Sequence, residues 1–317
     1  MNTKKIVGVD THKNTLACYC DGKFREFNTT ELGFRQVMNW AGKNVVYAVE
    51  GSYCFGQTFV AHLIKNGCEV VEVNPLLTKS WRSALSITNP KNDYGDAKVI
   101  SLYASNAKLE KVSLKTIELK SKLTLRKSFV KQKTQITNQL KMYASTFGVE
   151  LPFKDLTTQK AIKWLVESDN THFKLSGKIL SEIIKGIKSL EEEIEELTPT
   201  KAQKLTQLKG ISNYTACAIY TETKGVLKSA ASLANYAGIA PIDDSSGKKD
   251  RKKTNKKGNR VLNSIIYSLT ISQIRYDEKA RKYYEKKLAE GKSPRRARKA
   301  VARNLINIIF KILTSEY

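Results

Sequence analysis

The sequence predicts an α/β N-terminal domain, a helical coiled-coil connector and a mostly α C-terminal domain. Three observations carry this. Residues 1–106 alternate short β-branched runs with helical patterns, residues 107–200 carry long helical stripes, and residues 201–317 interleave helical patterns with basic clusters. Short apolar runs bounded by polar or glycine residues read as buried strands. By this rule the strands are 5–10, 15–20, 23–28, 45–50 and 68–73, and the helices are 31–41, 56–66 and 94–106. Asp21-Gly22 marks a hairpin between the second and third strands. Pro75 and Asn89-Pro90 mark a loop before the last helix.

A three-strand meander followed by strand–helix units is the order of the ribonuclease H-like fold, in which the first strand lies beside the fourth. Asp10 closes the run Ile6-Val7-Gly8-Val9-Asp10, and Glu50 closes Val45-Val46-Tyr47-Ala48-Val49-Glu50. Neighbouring parallel strands would bring both carboxylates to one sheet edge. Asp93 and Asp96 are spaced i, i+3, so they share a face at the start of a helix. Singly, a strand-end carboxylate is a solvated turn residue and a helix-start Asp is a cap. Together, four converging carboxylates repel one another unless cations neutralise them. Mg²⁺ takes oxygen ligands, and two ions ~4 Å apart can hold both the attacking and the leaving oxygen of a phosphodiester.

In the connector, Leu123, Leu125, Phe129, Ile136, Leu140 and Tyr143 form one helical stripe. Ile179, Ile183, Ile184, Ile187, Leu190, Ile194 and Leu197 form another. Joined by the less regular 148–172, they predict an antiparallel coiled-coil hairpin serving as spacer or dimer contact. Glu191-Glu192-Glu193 reads as a solvated face.

In the last region, Leu208-Lys209-Gly210-Ile211 before Thr215-Ala216-Cys217-Ala218-Ile219 has a helix–tight turn–helix look. Backbone N–H groups at such a turn suit a DNA phosphate, which places Lys209 and Gly210 among the nucleic-acid ligands. Leu233 to Pro241 reads as a helix with a glycine cap, followed by a loop, Ile242-Asp243-Asp244-Ser245-Ser246-Gly247. From 248 to 260 there are eight basic residues and one acidic: Lys248, Lys249, Arg251, Lys252, Lys253, Lys256, Lys257 and Arg260 against Asp250. Arg295, Arg296, Arg298 and Lys299, with Arg303, form a second cluster. The bland alternative is a solvated or targeting segment; placement between periodic helices favours phosphate binding.

Bulk charge agrees. The chain has 55 Lys+Arg against 30 Asp+Glu, net +25, of which residues 201–317 carry +17. Such a basic region is an electrostatic footprint for nucleic acid. A membrane surface is disfavoured, since the basic clusters lack an apolar face beside them and no apolar stretch is long enough to span a bilayer. The five cysteines lack paired CxxC spacing and read as reduced core thiols of a cytosolic protein, and three histidines make a His-based metal site an unexpected outcome.

These pieces, in order, resemble the insertion-sequence 110 family of transposases and the related Piv-type DNA invertases. The resemblance rests on Gly8-Val9-Asp10-Thr11-His12-Lys13, Val49-Glu50-Gly51-Ser52-Tyr53, Val73-Asn74-Pro75 and Asp93-Tyr94-Gly95-Asp96-Ala97. In the C-terminal part it rests on Leu208-Lys209-Gly210-Ile211, Tyr236 to Pro241, Ser246-Gly247 and Lys257-Gly258-Asn259-Arg260. It implies a RuvC-like DEDD domain over 1–106, the connector over 107–200 and a C-terminal transposase domain with a catalytic serine over 201–317. The implied catalytic set is Asp10, Glu50, Asp93 and Asp96, holding Mg²⁺ ions that Mn²⁺ could replace, and Ser246 as nucleophile, with Ser245 the alternative. Both domains would contribute to one composite centre. Implied partners are donor and target DNA, a noncoding bridge RNA, and a second copy of the chain forming a dimer that pairs into a tetramer at synapsis. The implied setting is the prokaryotic cytoplasm, at the nucleoid. The sequence departs from the family pattern at Lys209-Gly210-Ile211-Ser212 and at Asn255 and Asn263. Two competing readings are a metal-dependent Holliday-junction resolvase or nuclease without serine chemistry, and a noncatalytic nucleic-acid-binding protein.

Overall fold

The computed structural model describes residues 4–50, 56–84, 92–107, 109–223, 228–246, 249–254 and 258–315, and only the backbone of 76, 80, 83, 84, 241–246 and 249–254. The chain divides into two compact units, Met1–Glu118 and Leu119–Tyr317.

The first unit holds β1 (Lys5–Thr11), β2 (Thr15–Cys20), β3 (Lys23–Asn28), α1 (Glu31–Ala41), β4 (Val45–Glu50), α2 (Gln57–Lys65), β5 (Glu69–Val73), α3 (Pro75–Ala84) and α4 (Asp93–Asn106). The sheet order is β3-β2-β1-β4-β5. β1 pairs antiparallel with β2 and parallel with β4, and β4 pairs parallel with β5. The first strand therefore lies beside the fourth, as the element order requires. The hairpin at Asp21-Gly22 has positive φ at both positions, 48° and 81°, the backbone that a two-residue primed turn demands.

Strand side chains alternate between faces, and the two cores follow that period. Val7, Val9, Tyr47 and Val49 pack with Phe34 and Val37 of α1 and Phe59 and Leu63 of α2. Ile6, Val46, Ala48, Val71 and Val73 pack on the other face with Ile100 and Tyr103 of α4 and Leu77 and Trp81 of α3. The two-residue period places Asp10, Gly8 and Ile6 on this second face, as it does Glu50 with Ala48 and Val46.

α3 occupies the stretch from Pro75 that reads from sequence as a loop. Pro75 holds the first helical position, where its missing N–H has no intrahelical partner to lose.

The second unit begins within α5 (Leu114–Thr146) and continues through α6 (Gln159–Glu167), α7 (Thr171–Glu196), α8 (Thr200–Gln203), a 3-10 turn (Lys204–Gln207), α9 (Asn213–Thr223) and α10 (Ala230–Tyr236). It ends with β6 (Pro241–Ser246), β7 (Lys249–Thr254), α11 (Arg260–Tyr276), α12 (Glu278–Ala289) and α13 (Pro294–Thr314). α5 and α7 run antiparallel: Arg126 donates to Glu191 at 2.5 Å, Lys122 pairs with Glu193, and Asn170 donates to the Tyr143 hydroxyl at 3.2 Å. Glu191 and Glu193 are thus interhelical partners and not a merely solvated face. Leu125 and Ile179, expected in the apolar stripes, are 46% and 53% exposed. Leu125 stands two residues from the buried Leu123, about 200° around α5, so the two cannot share one face.

The stretch Ile242–Ser246, expected as a loop, is strand. β6 and β7 pair antiparallel, with Asp243 opposite Lys252 and Asp244 opposite Arg251. The segment carries almost no apolar residue, so it shows none of the alternation from which a strand is read.

Candidate metal centre and nucleic-acid surface

Asp10 reaches the C-terminal edge of the parallel strands because β1 carries it there, largely buried. Val9 pairs with Val49, so Glu50 follows at the matching step of β4. α4 comes onto this edge because β1 offers no side chain at Gly8. A Cβ there would lie 2.2 Å from the Ala97 carbonyl oxygen and 2.5 Å from the Ser101 nitrogen. The Ser101 hydroxyl also donates to the Ile6 carbonyl at 3.0 Å. The Asn92 side chain caps the helix by accepting from the Gly95 N–H at 2.8 Å. Tyr94 packs edge-on against Tyr19 and Phe24, with ring centroids 5.8 and 5.4 Å away, which fixes the first turn over β2 and β3. Asp93 and Asp96 therefore sit at the positive end of a helix, held over the edge that carries Asp10.

The structure brings Asp10 and Asp93 together through a residue that the sequence reading passed over. His12 Nε2 lies 3.4 Å from Asp10 Oδ2 and 3.3 Å from Asp93 Oδ1. One donor atom from each of the three falls within 4.8 Å of the others. Glu50 and Asp96 lie outside that triplet. Glu50 accepts from the Thr78 hydroxyl at 2.7 Å, and Asp96 pairs with Arg82. Both partners stand on α3, so the helix missed from sequence supplies a neutral donor to one carboxylate and a guanidinium to another. Thr78 and Arg82 could have been found only by reading Pro75 as a helix start.

The donor set suits a divalent cation. Two carboxylates and an imidazole are ordinary ligands, and His12 Nε2 is buried without a hydrogen-bond partner while facing both acids.

In the second unit, Lys209 and Gly210 lie in an exposed turn between the 3-10 turn and α9. Gly210 has φ +84°, and a Cβ there would meet the Ser272 hydroxyl at 2.5 Å. Gln273 donates to the Lys209 carbonyl. The turn is therefore docked on α11, although the helix before it is only the four residues of α8 plus the 3-10 turn. Arg260 opens α11, exposed. Arg295, Arg296 and Arg298 lie in the first two turns of α13, and the first two are exposed. Lys249, Arg251, Lys252 and Lys253 lie on β7, while Lys248, Lys256 and Lys257 fall outside the described residues. Ser246 ends β6 opposite Lys249, and Ser245 stands opposite Asp250.

The stems of this hairpin are tied together. The Asn259 N–H donates to the Tyr236 carbonyl at 2.7 Å, and its side chain donates to the Tyr236 hydroxyl at 2.8 Å and to Glu222 at 2.6 Å. Asn263 donates to the Ala237 carbonyl at 2.8 Å. Gly258 approaches so closely that a Cβ would lie 2.4 Å from the Gly238 nitrogen. The Tyr236–Gly238 and Gly258–Asn263 segments thus form one clasp.

An acidic sheet edge over which a helix sets two further carboxylates, in a chain with a strongly basic C-terminal region, defines a nucleic-acid-processing protein. Comparison with known proteins gives the family. Residues 7–146 match the transposase model of the IS110 DEDD type, and residues 202–285 match the model described as "Transposase IS116/IS110/IS902 family". The chain belongs to the IS110 family of transposases. It is 22% identical over 339 residues to the "Transposase for insertion sequence element IS1111A" of Coxiella burnetii, covering 100% of this chain and 91% of that protein. It is 33% identical over 113 residues, 34% of this chain and 28% of the relative, to the "Insertion element IS110 uncharacterized 43.6 kDa protein" of Streptomyces coelicolor. A third relative, the "Insertion element IS900 uncharacterized 42 kDa protein" of Mycobacterium paratuberculosis, is 36% identical over 87 residues, 27% of this chain and 22% of its own length. The chain is a transposase of an insertion sequence, a class that acts on DNA and uses a divalent metal. Among the described residues no helix is long and apolar enough to cross a membrane.

Proposed function

We propose that this chain recombines the DNA of its own mobile element by metal-dependent strand cleavage and exchange through a serine–DNA intermediate. The first unit is read as a ribonuclease H-like (RuvC-like) DEDD domain, with residues 107–200 as connector and 201–317 as the serine-bearing domain. The convergence of Asp10 and Asp93 at one sheet edge, with Glu50 on the next strand and Asp96 one turn along α4, is the observation that supports this most. When bound there, Mg²⁺ would neutralise charge on the scissile phosphate. Asp10, Glu50, Asp93 and Asp96 would hold that ion. Ser246 Oγ gives up its proton to solvent and attacks phosphorus, the bond to the leaving deoxyribose oxygen breaks, and that oxygen takes a proton from solvent to become a hydroxyl, so the proton count is unchanged. The phosphoserine conserves the bond energy until an incoming DNA hydroxyl displaces the serine. Ser246 is taken as the nucleophile, with Ser245 as the alternative.

The basic residues Lys209, Lys249, Arg251, Lys252, Lys253, Arg260, Arg295, Arg296 and Arg298 bind nucleic-acid backbone, together with Lys248, Lys256, Lys257 and the turn at Gly210. A structured RNA from the element's ends pairs with donor and target DNA, so that the protein needs little base-edge readout. The working assembly is a dimer pairing into a tetramer.

The test mixes the protein, RNA transcribed from the flanking DNA, element-junction DNA and Mg²⁺, then denatures and assays DNA covalently bound to protein. The adduct is expected to vanish in Ser246→Ala and in Asp10→Ala. An adduct lost in Ser245→Ala but kept in Ser246→Ala moves the nucleophile by one residue. Cleaved DNA without an adduct replaces this reading with the metal-only nuclease.

A further inference from the structure

We propose that His12 is a protein ligand of the cation held by Asp10 and Asp93, and that its nitrogen gives this position a preference for Mn²⁺ over Mg²⁺. The inference rests on the metal-dependent reading above and adds to it a residue outside the four carboxylates.

Three observations carry it. The separations from Nε2 to Asp10 Oδ2 and Asp93 Oδ1 are 3.4 and 3.3 Å. Ligands ~2.1 Å from one ion stand ~3.0–3.4 Å from each other, depending on coordination geometry. The spacing is thus that of neighbouring donors around a cation. Nε2 is also buried and makes no hydrogen bond, so the two close oxygens do not satisfy it in the way a hydrogen-bond partner would. A buried ring nitrogen whose lone pair faces two carboxylates is costly, and a cation between the three atoms removes that cost. Finally, the residue is fixed in place by its backbone. The His12 N–H donates to the Thr15 carbonyl at 2.9 Å, and the Thr29 hydroxyl donates to the His12 carbonyl at 3.1 Å. The N–H and C=O of His12 are thus tied to the first residue of β2 and to the residue that follows β3, so the imidazole is presented from a rigid base.

Selectivity follows from the donor. Carboxylate and water suit Mg²⁺, whereas imidazole suits first-row transition ions. Three protein donors leave the remaining positions of an octahedral ion for water and phosphate oxygens. Asp96, paired with Arg82, and Glu50, accepting from Thr78, stand outside this triplet.

The experiment is pulsed EPR of the full chain loaded with Mn²⁺ in the presence of duplex DNA, made with natural and with ¹⁵N-labelled histidine. The chain has three histidines, His12, His62 and His172, so the nitrogen signal has few sources. Nitrogen coupling to Mn²⁺ that changes on ¹⁵N labelling and vanishes in His12→Gln is expected. Mn²⁺ affinity should fall about tenfold or more in that variant, with a much smaller change for Mg²⁺. Bound Mn²⁺ without histidine coupling in the unaltered chain overturns the inference. If Asp10→Asn then abolishes Mn²⁺ binding, the carboxylate site survives without His12. If neither variant alters Mn²⁺ affinity, both the inference and the metal reading of this edge fall. The labelled chain needs no substitution, so a folding defect in His12→Gln cannot mask the answer.

Discussion

The absence of a methyl group at Gly8 sets the distance between β1 and α4, and through it the position of two carboxylates. Adding one would drive Cβ into the Ala97 carbonyl and the Ser101 nitrogen, both backbone atoms of a helix that cannot rotate away. Gly8→Ala is expected to destabilise the protein by about 2 kcal/mol or more, read as a lower urea midpoint, because overpacking forces backbone shifts. Asp93 and Asp96 would move with the helix, so metal binding should weaken even in the folded fraction. An unchanged midpoint would mean that α4 is not seated as described. At this scale the sequence is legible where a residue ends a pattern. Asp10 and Glu50 stand out because each closes an apolar run. His12 closes nothing, and its meaning comes only when Asp93 arrives beside it from far along the chain. Arg82 is silent for the same reason, since Asp96 gives no local sign of a cationic partner.

At the scale of elements, the five strands of the first unit lie where the apolar runs put them. The two-residue period there is reinforced by packing on both faces. α3 is not legible because proline serves equally as a breaker and as a first helical residue, and only the packing of Leu77 and Trp81 decides between them. β6 and β7 are not legible because Ile242 is the one aliphatic residue in the pair, so the apolar alternation that marks a strand is missing. The glycine cap after α10 is as read: Gly238 has φ +69°, and the Ile239 N–H returns to the Ala234 carbonyl at 2.9 Å. The clasp near that cap makes its own prediction. Asn259 caps α11 by accepting from the Leu262 N–H at 2.9 Å while also donating to Tyr236 and Glu222. Asn259→Ala should therefore cost about 2 kcal/mol, the loss of a cap plus buried hydrogen bonds, checked by chemical unfolding. Asn259→Asp keeps the cap and loses the donors, so with the Glu222 carboxylate removed by Glu222→Gln, which spares the new aspartate a facing like charge, it should fall between. Equal stability of the two variants would assign the whole effect to the lost donor bonds rather than to the cap.

For the whole molecule, charge is the dominant property, and its uneven distribution predicts a salt dependence. If Arg295, Arg296 and Arg298 each meet a phosphate, replacing all three by Gln should lower the slope of log affinity against log salt by about 2–3. Fluorescence anisotropy across a salt series measures this, and an unaltered slope would remove the start of α13 from the nucleic-acid surface. The clasp also bears on how this architecture can vary. The contacts between Gly238 and Gly258, and between Tyr236 and Asn259, close a ring of chain around β6 and β7. Closure entropy grows only with the logarithm of ring size, by about 0.6 kcal/mol for each doubling. Residues can thus be added or exchanged within the ring while the helices that seal it keep their packing. The reach of the serine-bearing arm becomes a dimension that evolution, or an engineer, can lengthen without rebuilding the body that carries it.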